Sequence, residues 1–135
     1  MIKRNINNIE GTKLELHGDQ RGAIVDIFYS EDINHVARVT SKPNVMRGNH
    51  YHKETTQHML MTKGSLEYWY KPVDSDEKAK MVLAEEGDIV STGPNEIHAL
   101  KIGPSGNEFI VFSKGLRGGK DYESDTFRVG NIIEE

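Results

Sequence analysis

The chain has 135 residues, with 17 Lys and Arg against 21 Asp and Glu and a formal net charge of −4. That length suits one domain, and the acidic balance offers no basic face of the kind that neutralises nucleic-acid phosphates. No apolar run is long enough to span a membrane, and the polar start at 1–8 holds no secretory h-region. The absence of cysteine excludes disulfides, thiolate metal sites and a cysteine nucleophile. A cytoplasmic single domain over 1–135 is expected, with a core at about 20–115 and a tail at 116–135. Hydrophobic residues make up 36%, a modest core once the 13 glycines are added, which a homodimer interface could supplement.

Short apolar runs separated by Gly, Pro, Asn and Asp recur at the about 8–12-residue spacing of an all-β sandwich or barrel. Strands are predicted at 13–17, 23–29, 35–40, 45–52, 57–62, 65–70, 80–84, 88–91, 99–102 and 108–113. Turn signals fall between them at His17-Gly18-Asp19, Lys63-Gly64-Ser65, Glu86-Gly87-Asp88, Gly93-Pro94-Asn95 and Gly103-Pro104-Ser105-Gly106. Ile24, Val25, Ile27, Phe28, Val36, Val39, Ile110 and Val111 supply side chains suited to a pleated surface. The stretch 74–86 has helix formers behind an Asp or Ser cap, but the strand signals on both sides favour a loop and then the strand at 80–84. Gly115-Leu116-Arg117-Gly118-Gly119-Lys120 is out of register for a phosphate loop, because the first glycine would fall on Lys114 and Asp121 follows the lysine. A surface loop near a cavity mouth is expected there.

The six histidines are the informative feature. His50 and His52 lie two apart on a predicted strand, which puts both imidazoles on one face. Gln57 opens the next strand, and His98 follows the distant Gly93-Pro94-Asn95 turn. Convergence of His50, His52, Gln57 and His98 inside a barrel would offer nitrogen and oxygen ligands to zinc first, then iron, manganese or nickel. His17 and His35, at a turn and a strand edge, are expected on the surface, and His58 should point away from Gln57. An isolated His-x-His is compatible with ordinary packing, so the wider spacing has to decide.

Gly48-Asn49-His50-Tyr51-His52-x4-Gln57-x6-Gly64 matches the first cupin motif, H-x-H-x(3,4)-E-x6-G, with Gln for Glu. Gly87-x5-Gly93-x-Asn95-x2-His98 matches the spacing of the second, G-x5-P-x-G-x2-H, with Gly93 and Asn95 for the usual Pro and Gly. The chain therefore resembles a single-domain cupin, a small jelly-roll β-barrel. Arg47-Gly48-Asn49-His50-Tyr51-His52-Lys53 with Gln57 and Gly64-Ser65 is similar to the signature of nucleotide-sugar 3,4-ketoisomerases. Asp19-Gln20-Arg21-Gly22, Ser41-Lys42-Pro43, the same histidine stretch and Ser124-Asp125-Thr126-Phe127 resemble the cupin domain of capsule-sugar enzymes, which epimerises C3 of a UDP-linked 4-keto hexose and holds zinc. The Arg-Gly-x-His-Tyr stretch is also shared with metal-free dTDP-4-keto-sugar 3,5-epimerases. His98 favours the metal-binding capsule-type branch, whereas Gln57, where that branch usually carries Glu, pulls the other way.

These resemblances imply an enzyme that removes the proton beside the ketone of a nucleotide-linked 4-keto hexose, in surface-polysaccharide sugar biosynthesis. The expected catalytic residues are His50, His52 and Lys53, and the expected metal ligands are His50, His52, Gln57 and His98. Arg47, Asn49, Tyr68 and Tyr70 are expected to bind substrate, Arg47 through its fork of donors and the tyrosines by stacking, although core packing suits the tyrosines equally. A metal-bound imidazole nitrogen cannot take a proton, so a metal would pass the base role to Lys53, Tyr51, Tyr68 or Tyr70. Glu54 could add a carboxylate if its turn bends inward. No organic cofactor, nucleic acid or membrane partner is implied. A metal-dependent oxygenase or other metallo-cupin, and a non-catalytic carbohydrate-binding cupin, are the competing readings.

Overall fold

The computed structural model describes residues 1–115 and 123–134, so most of the glycine-rich run expected to form a surface loop lies outside the described residues. Ten strands follow in order: β1 (Ile2–Asn5), β2 (Leu16–Asp19), β3 (Gly22–Val25), β4 (His35–Ser41), β5 (Met46–Tyr51), β6 (Thr56–Pro72), β7 (Lys80–Ala84), β8 (Asp88–Thr92), β9 (Glu96–Lys114) and β10 (Phe127–Arg128). Eight of them form one antiparallel sheet in the order β1-β8-β6-β9-β5-β10, with β4 added to β9 and β7 to β6. The other two, β2 and β3, form a separate hairpin. Among the described residues, no helix is long and apolar enough to cross a membrane.

The framework is the pairing of β6 with β9, which runs from Thr56 opposite Lys114 to Pro72 opposite Glu96. The first half of β6 takes β8 on its other edge and the second half takes β7. Likewise β9 takes β5 on its first half and β4 on its second. Register shifts at Met61/Lys63 and Gly64/Leu66 bend the pair between these halves, as bulges do. Folding one half over the other closes a single core, in which Met59, Met61 and Phe109 from one half meet Leu66, Tyr68, Leu100 and Ile102 from the other. Removing these side chains from water is the main drive to closure, at roughly 25 cal/mol per Å².

Two predicted turns are bulges within continuous strands. Gly64 has φ +71°, and a Cβ there would sit 2.2 Å from the Gly106 carbonyl oxygen, so the two glycine stretches let backbones meet where the sheet bends. The predicted pairs 57–62 with 65–70 and 99–102 with 108–113 are accordingly joined in β6 and β9. The strand at 80–84 is present as drawn from the sequence, and it pairs with residues 66–70 rather than coiling into a helix. The predicted strands at 13–17 and 23–29 are shorter and shifted, to β2 and β3, while β1 and β10 were not foreseen. Both are short, polar and stabilised by pairing with distant residues, Ile2 with Ser91 and Phe127 with Tyr51.

Candidate functional site

β5 and the residue just past its end bring two histidines to the barrel interior by way of a bulge. Gly48 (φ +87°) and Asn49 (φ +58°) both adopt left-handed conformations, and the register of β5 on β9 shifts between Gly48 and His50. A Cβ at position 48 would lie 2.7 Å from the His98 carbonyl oxygen, so only glycine lets β5 approach β9 this closely. Asn is the residue most tolerant of the second left-handed position. The bulge sets His50 directly opposite His98, while His52 follows on the same face two residues later.

The three rings form one cluster. Their centroids are 4.9 Å apart for His50 and His52, 4.7 Å for His50 and His98, and 5.4 Å for His52 and His98. One nitrogen from each lies within 4.8 Å of the other two. His52 Nδ1 is 2.8 Å from the Asp125 carbonyl oxygen and His98 Nδ1 is 3.2 Å from that of Glu96. A carbonyl only accepts, so each Nδ1 carries the proton and each Nε2 carries the lone pair. Burial, and then the neighbouring imidazoles, push His50 down to about 4 and His98 down to about 3. Both are neutral at neutral pH, with lone pairs available to a cation.

Asp125, in the tail, is the residue that sequence reasoning missed. Its carboxylate accepts from the backbone N–H of Lys53 at 2.9 Å, that of Glu54 at 3.2 Å and the hydroxyl of Thr55 at 2.7 Å. Burial alone would raise the Asp125 pKa, but these donors outweigh it and hold the carboxyl below its ordinary value. Side chain and backbone of one residue thus fix both the 53–55 turn and the His52 tautomer. The only signal was its place in the Ser124-Asp125-Thr126-Phe127 resemblance, since contacts 70 or more residues apart leave no local pattern.

A cavity of about 340 Å³ opens beside the cluster. His50, His98, Gln57 and Arg47 line it together with His35 at one side, and Val39, Leu100, Phe109 and Val111 form its apolar wall. The Arg47 guanidinium is held by the Ser41 hydroxyl at 2.8 Å and the Thr40 carbonyl at 3.0 Å, both neutral acceptors. No ion pair neutralises it among the described residues. His52 is 2% exposed, a position behind the wall that suits a ligand better than a group touching substrate.

Five candidate site residues stand elsewhere. Lys53 is exposed, with its ammonium 4.4 Å from the centre of the Phe127 ring. Asn49 ties down the tail, its side-chain oxygen accepting from Ile132 N–H and its carbonyl from Val129 N–H. Tyr68 is wholly buried, with its hydroxyl on Thr92 Oγ1 and its ring stacked on His98 at 6.1 Å, so it backs the cluster instead of meeting a ligand. Burial also pushes its phenol up, far from any base role. Tyr70 packs against the core beside Tyr68 and is not on the cavity wall. Glu54 is exposed and offers the site only its backbone N–H. His35 corrects the expectation in the other direction, since it lines the cavity instead of the surface.

An antiparallel β-barrel that brings a His-x-His pair together with a third histidine from a distant strand has the layout expected of a cupin. The chain belongs to the polysaccharide biosynthesis C-terminal domain family, whose model matches residues 17–113. A UDP-2-acetamido-2,6-beta-L-arabino-hexul-4-ose reductase from Pseudomonas aeruginosa is 29% identical over 84 residues, 62% of this chain and 23% of that protein. The chain thus spans about a quarter of the length of that curated relative. Among solved structures, the 3,4-ketoisomerase QdtA from Thermoanaerobacterium thermosaccharolyticum, in complex with TDP, is similar with a TM-score of 0.67 and 23% identity, over 87% of this chain and 84% of that one. The capsular polysaccharide assembling protein CapF from Staphylococcus aureus has a TM-score of 0.63 and 20% identity, over 88% of this chain and 33% of that one.

Proposed function

We propose that the chain is a nucleotide-sugar epimerase or ketoisomerase, which removes the proton beside the ketone of a nucleoside-diphosphate 4-keto hexose in surface-polysaccharide sugar biosynthesis. The observation that carries this reading is the opening of the histidine cluster and Arg47 onto one cavity large enough for a hexose. The charge of Arg47, unneutralised by any described carboxylate, suits the diphosphate of such a substrate. The shared fold with QdtA, a 3,4-ketoisomerase, supports this reading.

The cluster fits a divalent cation, zinc before iron, manganese or nickel. Three imidazoles present one nitrogen each at mutual distances that a single ion can bridge, and Gln57 on the same wall can add an oxygen. His50, His52 and His98 would hold the ion, which would supply Lewis-acid stabilisation of an enolate oxygen. Among the described residues no carboxylate joins the cluster, which separates it from the two-His-one-carboxylate site of iron oxygenases. The same reading makes the protein a cytoplasmic homodimer acting as one domain, and sedimentation at micromolar concentration tests the dimer.

Elemental analysis of untagged protein purified without chelator, followed by incubation with a nucleoside-diphosphate 4-keto hexose in deuterium oxide, tests the function. Deuterium entering the carbon beside the ketone is the expected result, and its loss on His52→Asn should leave the barrel folded. Saturable binding with no exchange would instead support a carbohydrate-binding module.

A further inference from the structure

The cavity wall carries one imidazole that the cluster does not absorb. Exposure alternates along β4, so His35, Ala37, Val39 and Ser41 face inward while Val36, Arg38 and Thr40 face out. His35 therefore shares a face with Val39, and both line the cavity with Arg47, His50 and His98. The strand end beneath it is fixed. His35 pairs with buried Ser113, and the Asn34 N–H donates to the Ser113 carbonyl at 2.9 Å. The Asn34 side chain bonds Gly115 both ways, at 3.0 Å to its carbonyl and 3.3 Å from its N–H.

The ring itself has no hydrogen-bond or ion-pair partner among the described residues. His17 is bonded to Glu15, His58 to Ser91, and His52 and His98 to backbone carbonyls. A partly buried imidazole on a cavity wall, held by a fixed strand and unused by the described residues, is placed for a ligand. The other groups suited to proton transfer are occupied or absent from this wall: the Lys53 ammonium lies over Phe127 and the Tyr68 hydroxyl is on Thr92. A cluster nitrogen that binds a cation cannot also accept a proton.

We infer that His35 is the proton-transfer residue of the cavity, acting on the carbon beside a substrate ketone; this rests on the enolisation reading above. The ring nitrogen that carries the lone pair takes the proton. The electron pair of the broken C–H bond becomes the new C–C π bond, and the carbonyl π pair moves to oxygen. The imidazolium and the enolate are the products of this half-reaction, and no oxidant or reductant enters. Delivery of a proton from solvent to the opposite face of the same carbon, with the imidazolium releasing its own to water, inverts it. Where the deprotonated carbon carries a hydroxyl, transfer of that hydroxyl proton to the former carbonyl oxygen, followed by return of the carbon-bound proton from the imidazolium to the former carbonyl carbon, moves the ketone instead. Imidazole is the side chain best suited to accept and return a proton near neutrality.

The test uses TDP-4-keto-6-deoxyglucose and its UDP-linked counterpart as probes in deuterium oxide, read by proton NMR, with TDP binding measured by calorimetry. In H35Q, kcat for exchange should fall about 10²- to 10⁴-fold while KM and TDP affinity stay within about threefold. Exchange by H35A should recover in part when free imidazole is added, which a packing role would not produce. Wild-type exchange rates in H35Q, or loss of exchange in H35A that imidazole does not restore, would overturn the inference and leave the enolisation reading intact. A wild-type protein that binds TDP yet exchanges neither probe would overturn that reading, and this inference with it.

Discussion

Gln57 and His58 are neighbours in β6, yet they belong to different regions of the molecule. Gln57 faces the cavity with His50 and His98. His58 faces outward, 8% exposed, under a cover made by the segment around Phe28. There its Nδ1 lies 2.7 Å from the Ser91 hydroxyl, its Nε2 is 3.5 Å from Glu31, and its ring packs 5.0 Å from Phe28, which in turn meets Phe112 edge-on. Both regions bury histidines. On the outer face the nitrogens and the ring are all satisfied by protein, whereas on the cavity side one nitrogen from each of three rings converges on shared space. Burial of a histidine is therefore a poor guide to function; the destination of its nitrogens is a good one.

Removing a ring from the cavity side should produce the largest effect. His98→Ala takes away one of three converging nitrogens and the surface on which Tyr68 stacks. Exchange at the sugar carbon should fall by at least about 10²-fold, and bound metal should drop to below stoichiometric amounts by elemental analysis. Retention of both would show that the cluster is a packing feature like His58, and the contrast between the two faces would disappear.

Asp125 should rank next. Asp125→Ala leaves two backbone N–H groups and the buried Thr55 hydroxyl without their acceptor, and it loosens the carbonyl that orients His52. Unfolding by urea should show a loss of about 2–4 kcal/mol. A variant equally destabilised from the outer face should keep full metal content, while Asp125→Ala should bind metal more weakly, since the tautomer of a ligand is at stake.

The acid limb of stability should separate the faces by a smaller margin. His50 and His98 titrate in the folded protein at about 4 and about 3, below the ordinary 6.5, because burial opposes the charged ring. The unfolded chain therefore binds more protons across the interval from about 3 to 6.5. Stability should be full above that window and decline as pH falls through it, by up to about 1.4 kcal/mol per pH unit for each proton taken up on unfolding. Replacing His98 with a residue that does not titrate should flatten the slope. An unchanged slope in urea titrations at pH 4 to 7 would locate the acid sensitivity elsewhere.

How much of this was legible in the sequence depends on the range of the contacts involved. The His-x-His pair, the glycine before it and the distant His98 were readable, because period-2 geometry and motif spacing are local. His35 was misread as a strand-edge surface residue, although its parity with Val39 along β4 already placed it inward. Tyr68 and Tyr70 could be read equally as stacking on substrate or as packing in the core, and the structure sets both against the core. The bulges between Met61 and Leu66 switch which parity faces in, so the tyrosines join the core and back the cluster without reaching the cavity. Glycines at 64 and 103–106 were read as turns because a sequence cannot distinguish a chain reversal from a close approach of two backbones. Asp125 and the short strands β1 and β10 were invisible for a simpler reason: their partners are far away in sequence.

His58 supplies the smallest prediction and the strictest control. Its ring contributes packing against Phe28 and one hydrogen bond to Ser91, which together are worth about 1–2 kcal/mol of stability. His58→Asn should lose that amount in urea unfolding, while exchange stays within about twofold of wild type, because no nitrogen of this ring reaches the cavity. Burial also lowers the His58 pKa, with Glu31 opposing the shift and Arg4 adding to it, so His58→Asn should trim the acid slope slightly. If exchange instead collapsed with stability preserved, the two faces of β6 would be coupled through the sheet. Distance from the cavity would then no longer protect a residue from a part in the chemistry.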